Sequence, residues 1–171
     1  VLAEGSDFLA QPALSSDGRR LAWVAWNHPD MPWDATSLRV ADLETGSVRD
    51  IAGGERRAPL QPVWIADDEL LYADDPDGRW NLFHRPLDGD AQPLAPADAD
   101  TGGGLWVLGT RWFGAAADGR VIAVRTNGSD EVVEIAPSGV RPVDVPVVAG
   151  AAIDDVRGTR ALASGSDAGG R

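Results

Sequence analysis

The stretch Leu14-Ser15-Ser16-Asp17-Gly18-Arg19-Arg20-Leu21-Ala22-Trp23 comes back along the chain. An apolar run, an Asp-Gly turn and a strand opened by arginine return at Ala116-Ala117-Asp118-Gly119-Arg120-Val121-Ile122-Ala123, with Asp118 lying 101 residues after Asp17. Between them, Pro62-Val63-Trp64-Ile65-Ala66-Asp67-Asp68-Glu69-Leu70-Leu71 follows Pro12-Ala13-Leu14 at a spacing of 50. An eroded fourth copy is Val156-Arg157-Gly158-Thr159-Arg160-Ala161-Leu162. A period of roughly 40–50 residues built from strands is the mark of a β-propeller, with one four-stranded blade per repeat.

Period-2 alternation and turn residues lay the blades along the chain. The first blade, about 8–52, has strands predicted at 11–15, 19–26, 37–43 and 47–51, with Glu44-Thr45-Gly46 turning the third into the fourth. The second, about 60–95, has strands at 61–66, 69–74, 80–87 and 91–95, and the third, about 108–146, at 110–116, 120–126, 131–136 and 140–145. A fourth starts at about 149–166, with strands at 150–154 and 160–164, and dissolves into the tail Ser164-Gly165-Ser166-Asp167-Ala168-Gly169-Gly170. No ten-residue segment keeps a capped helical period. The chain therefore reads as all-β, a partial propeller of about three and a half PD40/TolB-like blades over 1–171. Rings typically close with 4–8 blades, so the expectation is an arc, about half of a seven- or eight-bladed ring, with open blade edges through which it self-associates.

Composition removes several classes of function. The formal net charge is −12, from 27 acidic residues against 15 basic ones, all of them arginine. That surface does not suit a nucleic-acid backbone or an anionic membrane, and no stretch approaches the ~18–20 apolar residues of a membrane span. With no cysteine, neither disulfides nor a Cys-based zinc site can form. The start, Val1-Leu2-Ala3-Glu4-Gly5-Ser6-Asp7, lacks a basic n-region and an apolar core, which points to the cytoplasm.

Blade geometry sorts the loops. In an up-and-down sheet the turns from first to second and third to fourth strand share one rim, and the loops from second to third strand share the other with the crossovers between blades. The second rim then takes Asp30, Asp34, Asp75, Asp77, Asp98, Asp100 and Asp130. Such a rim attracts cations, such as a peptide's free amine, although Asp is also a common turn residue. The 28–36 loop is longer than a tight turn needs, is stiffened by Pro29 and Pro32, and presents His28, Met31 and Trp33. Either this loop binds a ligand or Trp33 tucks into a groove between blades. His28, Asp30, Trp33, Asp34 and Asp100 are the candidate substrate-binding residues.

No catalytic set is visible. Gly5-Ser6, Gly128-Ser129 and Gly165-Ser166 each lack the second half of a Gly-x-Ser-x-Gly elbow. Of the two histidines, His28 is in the loop and His84 alternates with Leu82 and Phe83 as a sheet residue. Asp74-Asp75-Pro76-Asp77-Gly78 lacks EF-hand spacing and reads as a solvated hairpin turn. Gly102-Gly103-Gly104 precedes no helix that could hold phosphate. No metal and no cofactor is expected. Trp23, Trp64 and Trp112 fall at matched blade positions and read as inter-blade core, while Trp80 and Trp106 border the acidic-rim loops.

The strand–turn–strand unit at 14–23 resembles the PD40-type repeat of TolB-like propellers and of prolyl-oligopeptidase-family peptidases. The run Asp7-Phe8-Leu9-Ala10-Gln11-Pro12, then Trp26-Asn27-His28-Pro29-Asp30-Met31-Pro32-Trp33-Asp34 and Leu38-Arg39-Val40-Ala41-Asp42-Leu43, looks like the start of the propeller in S9 serine peptidases of the acylaminoacyl-peptidase and dipeptidyl-aminopeptidase type. Trp80-Asn81-Leu82-Phe83-His84-Arg85-Pro86-Leu87-Asp88-Gly89 and Gly103-Gly104-Leu105-Trp106-Val107-Leu108-Gly109 continue the likeness. The resemblance implies an α/β-hydrolase domain elsewhere in the polypeptide that carries the catalytic serine, aspartate and histidine. It also implies a non-catalytic propeller that filters short peptides and helps hold their free N-terminus. Two other classes stay open: a TolB-like propeller that docks another protein, and a lectin-like propeller whose tryptophans stack on sugars.

Overall fold

In a computed structural model that describes residues 3–169, the repeated turn shows why its residues recur. Ser15 Oγ donates to Asp17 Oδ1 at 2.6 Å, and the same oxygen accepts the Arg19 N–H at 3.0 Å. Gly18, at φ 73°, closes the turn with its N–H on Ser15 O at 3.0 Å; a side chain is strained in that left-handed conformation. The Ser15 hydroxyl is also the chief reason that the Asp17 carboxyl sits below its ordinary range. At the later copy, Gly119 N–H bonds Ala116 O at 3.0 Å and Asp118 accepts from Arg120 in the same manner.

Three four-stranded antiparallel sheets and one hairpin follow from these turns. The first sheet has the order β1 (Phe8–Leu14), β2 (Arg20–Trp26), β3 (Ser37–Asp42), β4 (Val48–Gly53). The second is β5 (Leu60–Ala66), β6 (Glu69–Asp74), β7 (Asn81–Pro86), β8 (Gln92–Leu94), and the third is β9 (Phe113–Ala115), β10 (Val121–Thr126), β11 (Asp130–Ala136), β12 (Gly139–Pro142). β13 (Ala149–Arg157) and β14 (Arg160–Ser166) pair as the hairpin. Among the described residues every regular element is a strand, and no helix is long and apolar enough to cross a membrane.

Both faces of a middle sheet are buried, which is why its strands are apolar at consecutive positions. In β10, Val121 and Ala123 face the second sheet, while Ile122 and Val124 face the hairpin. One core lies between sheets one and two, built from Val24, Leu38, Val40 and Ile51 against Leu70, Tyr72 and Leu87. The next sets Leu60, Leu71, Ala73 and Leu82 against Phe113, Val121, Val133 and Ile135. Burying each such large side chain stabilises the fold by about 1.5–3 kcal/mol. The first strands β1, β5, β9 and β13 are neighbours from sheet to sheet, so the blades fan from an inner edge.

Turns and crossovers separate onto two rims. On one, Ser16 Oγ hydrogen-bonds Asp67 Oδ1 and Arg20 Nη1 donates to Asp67 O at 2.8 Å, joining the first turns of blades one and two. On the other, Thr36 N–H meets Arg57 O at 2.9 Å, Thr101 N–H meets Trp80 O at 2.6 Å, and Asp130 N–H meets Val148 O at 2.9 Å. These contacts bind each loop between second and third strands to the crossover beside it.

The structure departs from the sequence reading at some strand ends. β9 has three residues where alternation predicts 110–116: at Trp112 only half of the ladder pair forms, its carbonyl accepting the Val124 N–H at 2.8 Å while its N–H donates to Gln61 Oε1 at 2.6 Å. β14 continues through Ser166, beyond the predicted stop at 164. Of the matched tryptophans, Trp64 packs between blades one and two, and Trp112 between two and three. Trp23 instead lies on the far face of the first sheet, with Ala25 and Ala41 and against Ala3. Positions 1, 2, 170 and 171, the outermost parts of the N-terminal run and of the glycine-rich tail, lie outside the described residues.

Candidate functional site

Residues 27–36 bridge β2 and β3 as two successive turns. Asp30 N–H bonds Asn27 O at 3.0 Å; Asp34 N–H bonds Met31 O at 2.9 Å while its Oδ2 accepts the Met31 N–H at 3.0 Å. Asp7 fixes the start of the loop, its Oδ2 taking the His28 N–H at 3.0 Å, and its own N–H bonds Asn27 Oδ1 at 2.9 Å. The His28–Pro29 peptide is cis. Thr36 fixes the end: it is buried and its Oγ1 donates to Pro59 O at 2.8 Å. Pro32 is buried beneath the loop, while Met31 remains exposed.

This frame presents Trp33 outward against Trp106, with ring centroids 3.9 Å apart at an interplanar tilt of 34°. Trp106 belongs to the crossover between blades two and three and is 76% exposed; Val107 and Leu108 beside it are exposed too. Next to Trp33 lies a cleft of about 450 Å³ lined by Asp30, Trp33, Asp34, Ala35, Glu55 and Arg56. It holds three carboxylates against one guanidinium. Among the described residues, the side chains of Asp30, Glu55 and Arg56 have no hydrogen-bond or ion-pair partner of their own. An aromatic face next to unpaired carboxylates can hold an ammonium or guanidinium group.

Asp100 has a different setting. Its Oδ2 takes Arg79 Nη1 at 2.8 Å, its Oδ1 takes the Trp80 N–H at 3.0 Å, and its backbone bridges Thr126 in both directions at 2.9 Å. Several other rim aspartates are equally engaged. Asp98 pairs with Arg79 at 3.2 Å, Asp75 accepts the Ala58 N–H at 2.6 Å, and Asp130 accepts from Thr126 Oγ1 and the Ala151 N–H, each at 2.7 Å. Trp80 is tied to the seam as well, its Nε1–H on Ala58 O at 2.9 Å. The structure thus gathers Asp30, Trp33 and Asp34 around one cleft, sets His28 at the root of the same loop, and commits Asp100 to joining blades two and three.

Asp74 corrects one expectation. It is fully buried, paired with Arg57, and accepts the Asp75 N–H at 2.9 Å, so only the residues after it form a solvated turn. The reason is a partner 17 positions earlier, on the crossover. Burial pushes the Asp74 carboxyl above its ordinary range, and Arg57 opposes that shift.

Glu55, Arg56 and the stacking role of Trp106 were not legible as site residues. The available signal was Gly53-Gly54 just before Glu55. Gly53 adopts φ 117° and passes so close to Thr36 that a Cβ there would run into the Thr36 carbonyl, which brings the crossover under the loop. Among the described residues, no group of three or more His, Asp or Glu side chains is arranged to hold a metal ion.

No family model and no curated protein matches the chain. Solved structures do. A puromycin-hydrolyzing peptidase of Mycobacterium tuberculosis is 36% identical over 85% of this chain and 24% of its own, with a TM-score of 0.81. A puromycin hydrolase is 32% identical over 95% of this chain and 26% of its own, with a TM-score of 0.84. Prolyl oligopeptidase B from Galerina marginata shares the fold at 14% identity and a TM-score of 0.66, over 90% of this chain and 21% of its own. The chain thus spans about a quarter of the length of these proteins. Blades joined in this order, matched over 85% and 95% of the chain by a puromycin-hydrolyzing peptidase and a puromycin hydrolase, make the chain a β-propeller segment of the kind found in the prolyl oligopeptidase (S9) peptidases.

Proposed function

We propose that this propeller segment gates short peptide substrates and helps position them for an α/β-hydrolase domain of the same polypeptide, an S9-type serine peptidase acting in the cytoplasm. The observation that carries the proposal is the likeness, at about one residue in three and over nearly the whole chain, to a puromycin hydrolase. The acidic aromatic cleft at Asp30, Trp33 and Asp34 supplies the chemistry, because a peptide's free amine is a cation and its first side chain can lie against the Trp33 ring. Rigid blades with loops on one rim also suit a size filter, since an opening framed by sheets does not widen for a bulky chain.

The test is hydrolysis by the full polypeptide of short peptides with free and with acetylated N-termini, and of long peptides. Preferred cleavage of the short free-amine peptides, with Trp33→Ala raising KM and leaving kcat unchanged, is the expected result. A polypeptide with no Gly-x-Ser-x-Gly elbow and no peptide hydrolysis would instead make the segment a TolB-like protein-interaction module. Cell fractionation checks the compartment.

A further inference from the structure

On the rim opposite the cleft, two neighbouring blades carry very different side chains at one structural position. Trp64 is paired with Leu70 across β5 and β6, and Ala115 is paired with Val121 across β9 and β10. Leu70 belongs to the core shared with the preceding blade, as does Val121 one blade later. Trp64 and Ala115 are therefore counterparts. Trp64 fills its space, packing towards blade one with its Nε1–H on Ala13 O at 3.0 Å. Ala115 supplies only a methyl group, and beside it a groove of about 560 Å³ opens between blades two and three.

Buried Leu71 and Val121 line this groove along with Leu94, Ala115, Ala117 and His84. Exposed Ala117 and half-buried His84 and Leu94 leave the groove open to solvent, and its volume lies in the range of small-molecule sites, which are mostly apolar with a few placed polar groups. His84 is the polar group here. Its Nε2 lies 3.0 Å from Glu69 Oε2; a carboxylate only accepts, so Nε2 carries the hydrogen and Nδ1 of the neutral ring is an acceptor. Among the described residues, no donor meets that Nδ1.

We infer that the groove binds a small planar aromatic molecule bearing one N–H or O–H donor. The ring takes the place that Trp64 occupies one blade earlier, and the donor meets His84 Nδ1. This site is independent of the peptidase proposal, since it lies on the other rim.

The experiment titrates the full polypeptide with indole, followed by calorimetry and by the NMR signals of the Ala115 methyl and the His84 ring. Saturable binding with shifts at both residues is expected. 1-Methylindole, which lacks the N–H, should bind about tenfold more weakly, the worth of one hydrogen bond. Ala115→Trp should abolish binding by supplying the missing indole, and Ala115→Leu, a smaller plug, covers the case in which tryptophan disturbs the fold. Non-saturable uptake, shifts remote from Ala115, or unchanged affinity in Ala115→Leu would overturn the inference; equal affinity for 1-methylindole would overturn the part given to His84.

Discussion

The backbone N–H of Gln61 donates to the side-chain Oε1 of Gln11 at 2.7 Å, so the inner strand of one blade is held by a side chain of the blade before it. The two glutamines are counterparts, each at φ 51°, each followed by proline, and each at a slip in the register of its strand. Gln61 passes the contact on: its Nε2 donates to Phe113 O at 2.6 Å and its Oε1 accepts the Trp112 N–H at 2.6 Å. The inner strands of blades one, two and three belong to different sheets and share no ladder, so the amides supply the bonds that a ladder would; between blades three and four the Ile153 N–H meets Arg111 O directly at 2.9 Å.

Replacing Gln61 with leucine should therefore cost more than its size suggests. Gln61 is 4% exposed, and the change leaves the Trp112 N–H and the Phe113 carbonyl buried without partners. At about 1–3 kcal/mol for each unsatisfied group, a loss of about 2–6 kcal/mol is expected in chemical denaturation. Gln61→Glu should recover only part of it, since a carboxylate accepts from Trp112 but cannot donate to Phe113. Equal stability of Gln61→Leu and the parent would remove this amide from the account of how blades are joined.

How much of this was legible follows from the range of each interaction. The Asp17-Gly18 turn and the two-faced apolar run of β10 are local, and turn chemistry plus alternation give them directly. The Gln61 relay is not local: a glutamine before a proline in a strand says nothing of a carbonyl 52 residues on. Asp74 read as solvated because its neighbours are turn residues, and only the distant Arg57 accounts for its burial. Trp33 stood out through its prolines, but its stacking partner Trp106 lies two crossovers later. Loop length located the cleft; the residues that close it come from crossovers, which carry no periodic pattern.

Glu134 gives the acid limb of stability a definite sign. Its carboxylate accepts from Arg141 Nε at 2.7 Å and from Arg120 Nη1 at 2.5 Å. Those bonds, Arg141 first, hold its pKa below the ordinary 4.5. A carboxyl whose folded pKa is depressed contributes stability that is present above the unfolded value and is lost as pH falls through the folded one. Denaturant midpoints should thus fall below about pH 4.5 in the parent, and less steeply in Glu134→Gln. Asp74, raised by burial, works in the opposite sense, contributing below 3.8 and losing that contribution as pH rises. A steeper acid limb in Glu134→Gln would contradict the assignment.

Trp33 and Trp106 should be coupled without being structural pillars. Trp106 is largely exposed, so Trp106→Ala should leave the fold intact. A double-mutant cycle with Trp33→Ala should return a coupling of about 0.5–1.5 kcal/mol, the usual range for an aromatic pair. Additive effects would mean that the two rings are not in contact in solution.

The carboxylates of the cleft should act through charge. Asp30→Asn with Asp34→Asn removes two negative groups, and asparagine at 34 keeps an oxygen for the Met31 N–H, so the loop should hold its turns. For exposed pairs worth roughly 0.2–1 kcal/mol each, affinity of the full polypeptide for a peptide with a free N-terminus should fall by about two- to thirtyfold at low salt. The difference should shrink as salt is raised, because screening reaches about 10 Å at 0.1 M. An acetylated peptide should bind the parent and the double variant alike, since it brings no amine to the cleft. Unchanged affinity for the free-amine peptide at low salt would show that the acidic groups serve the turns alone, and substrate positioning would then have to come from the Trp33 face.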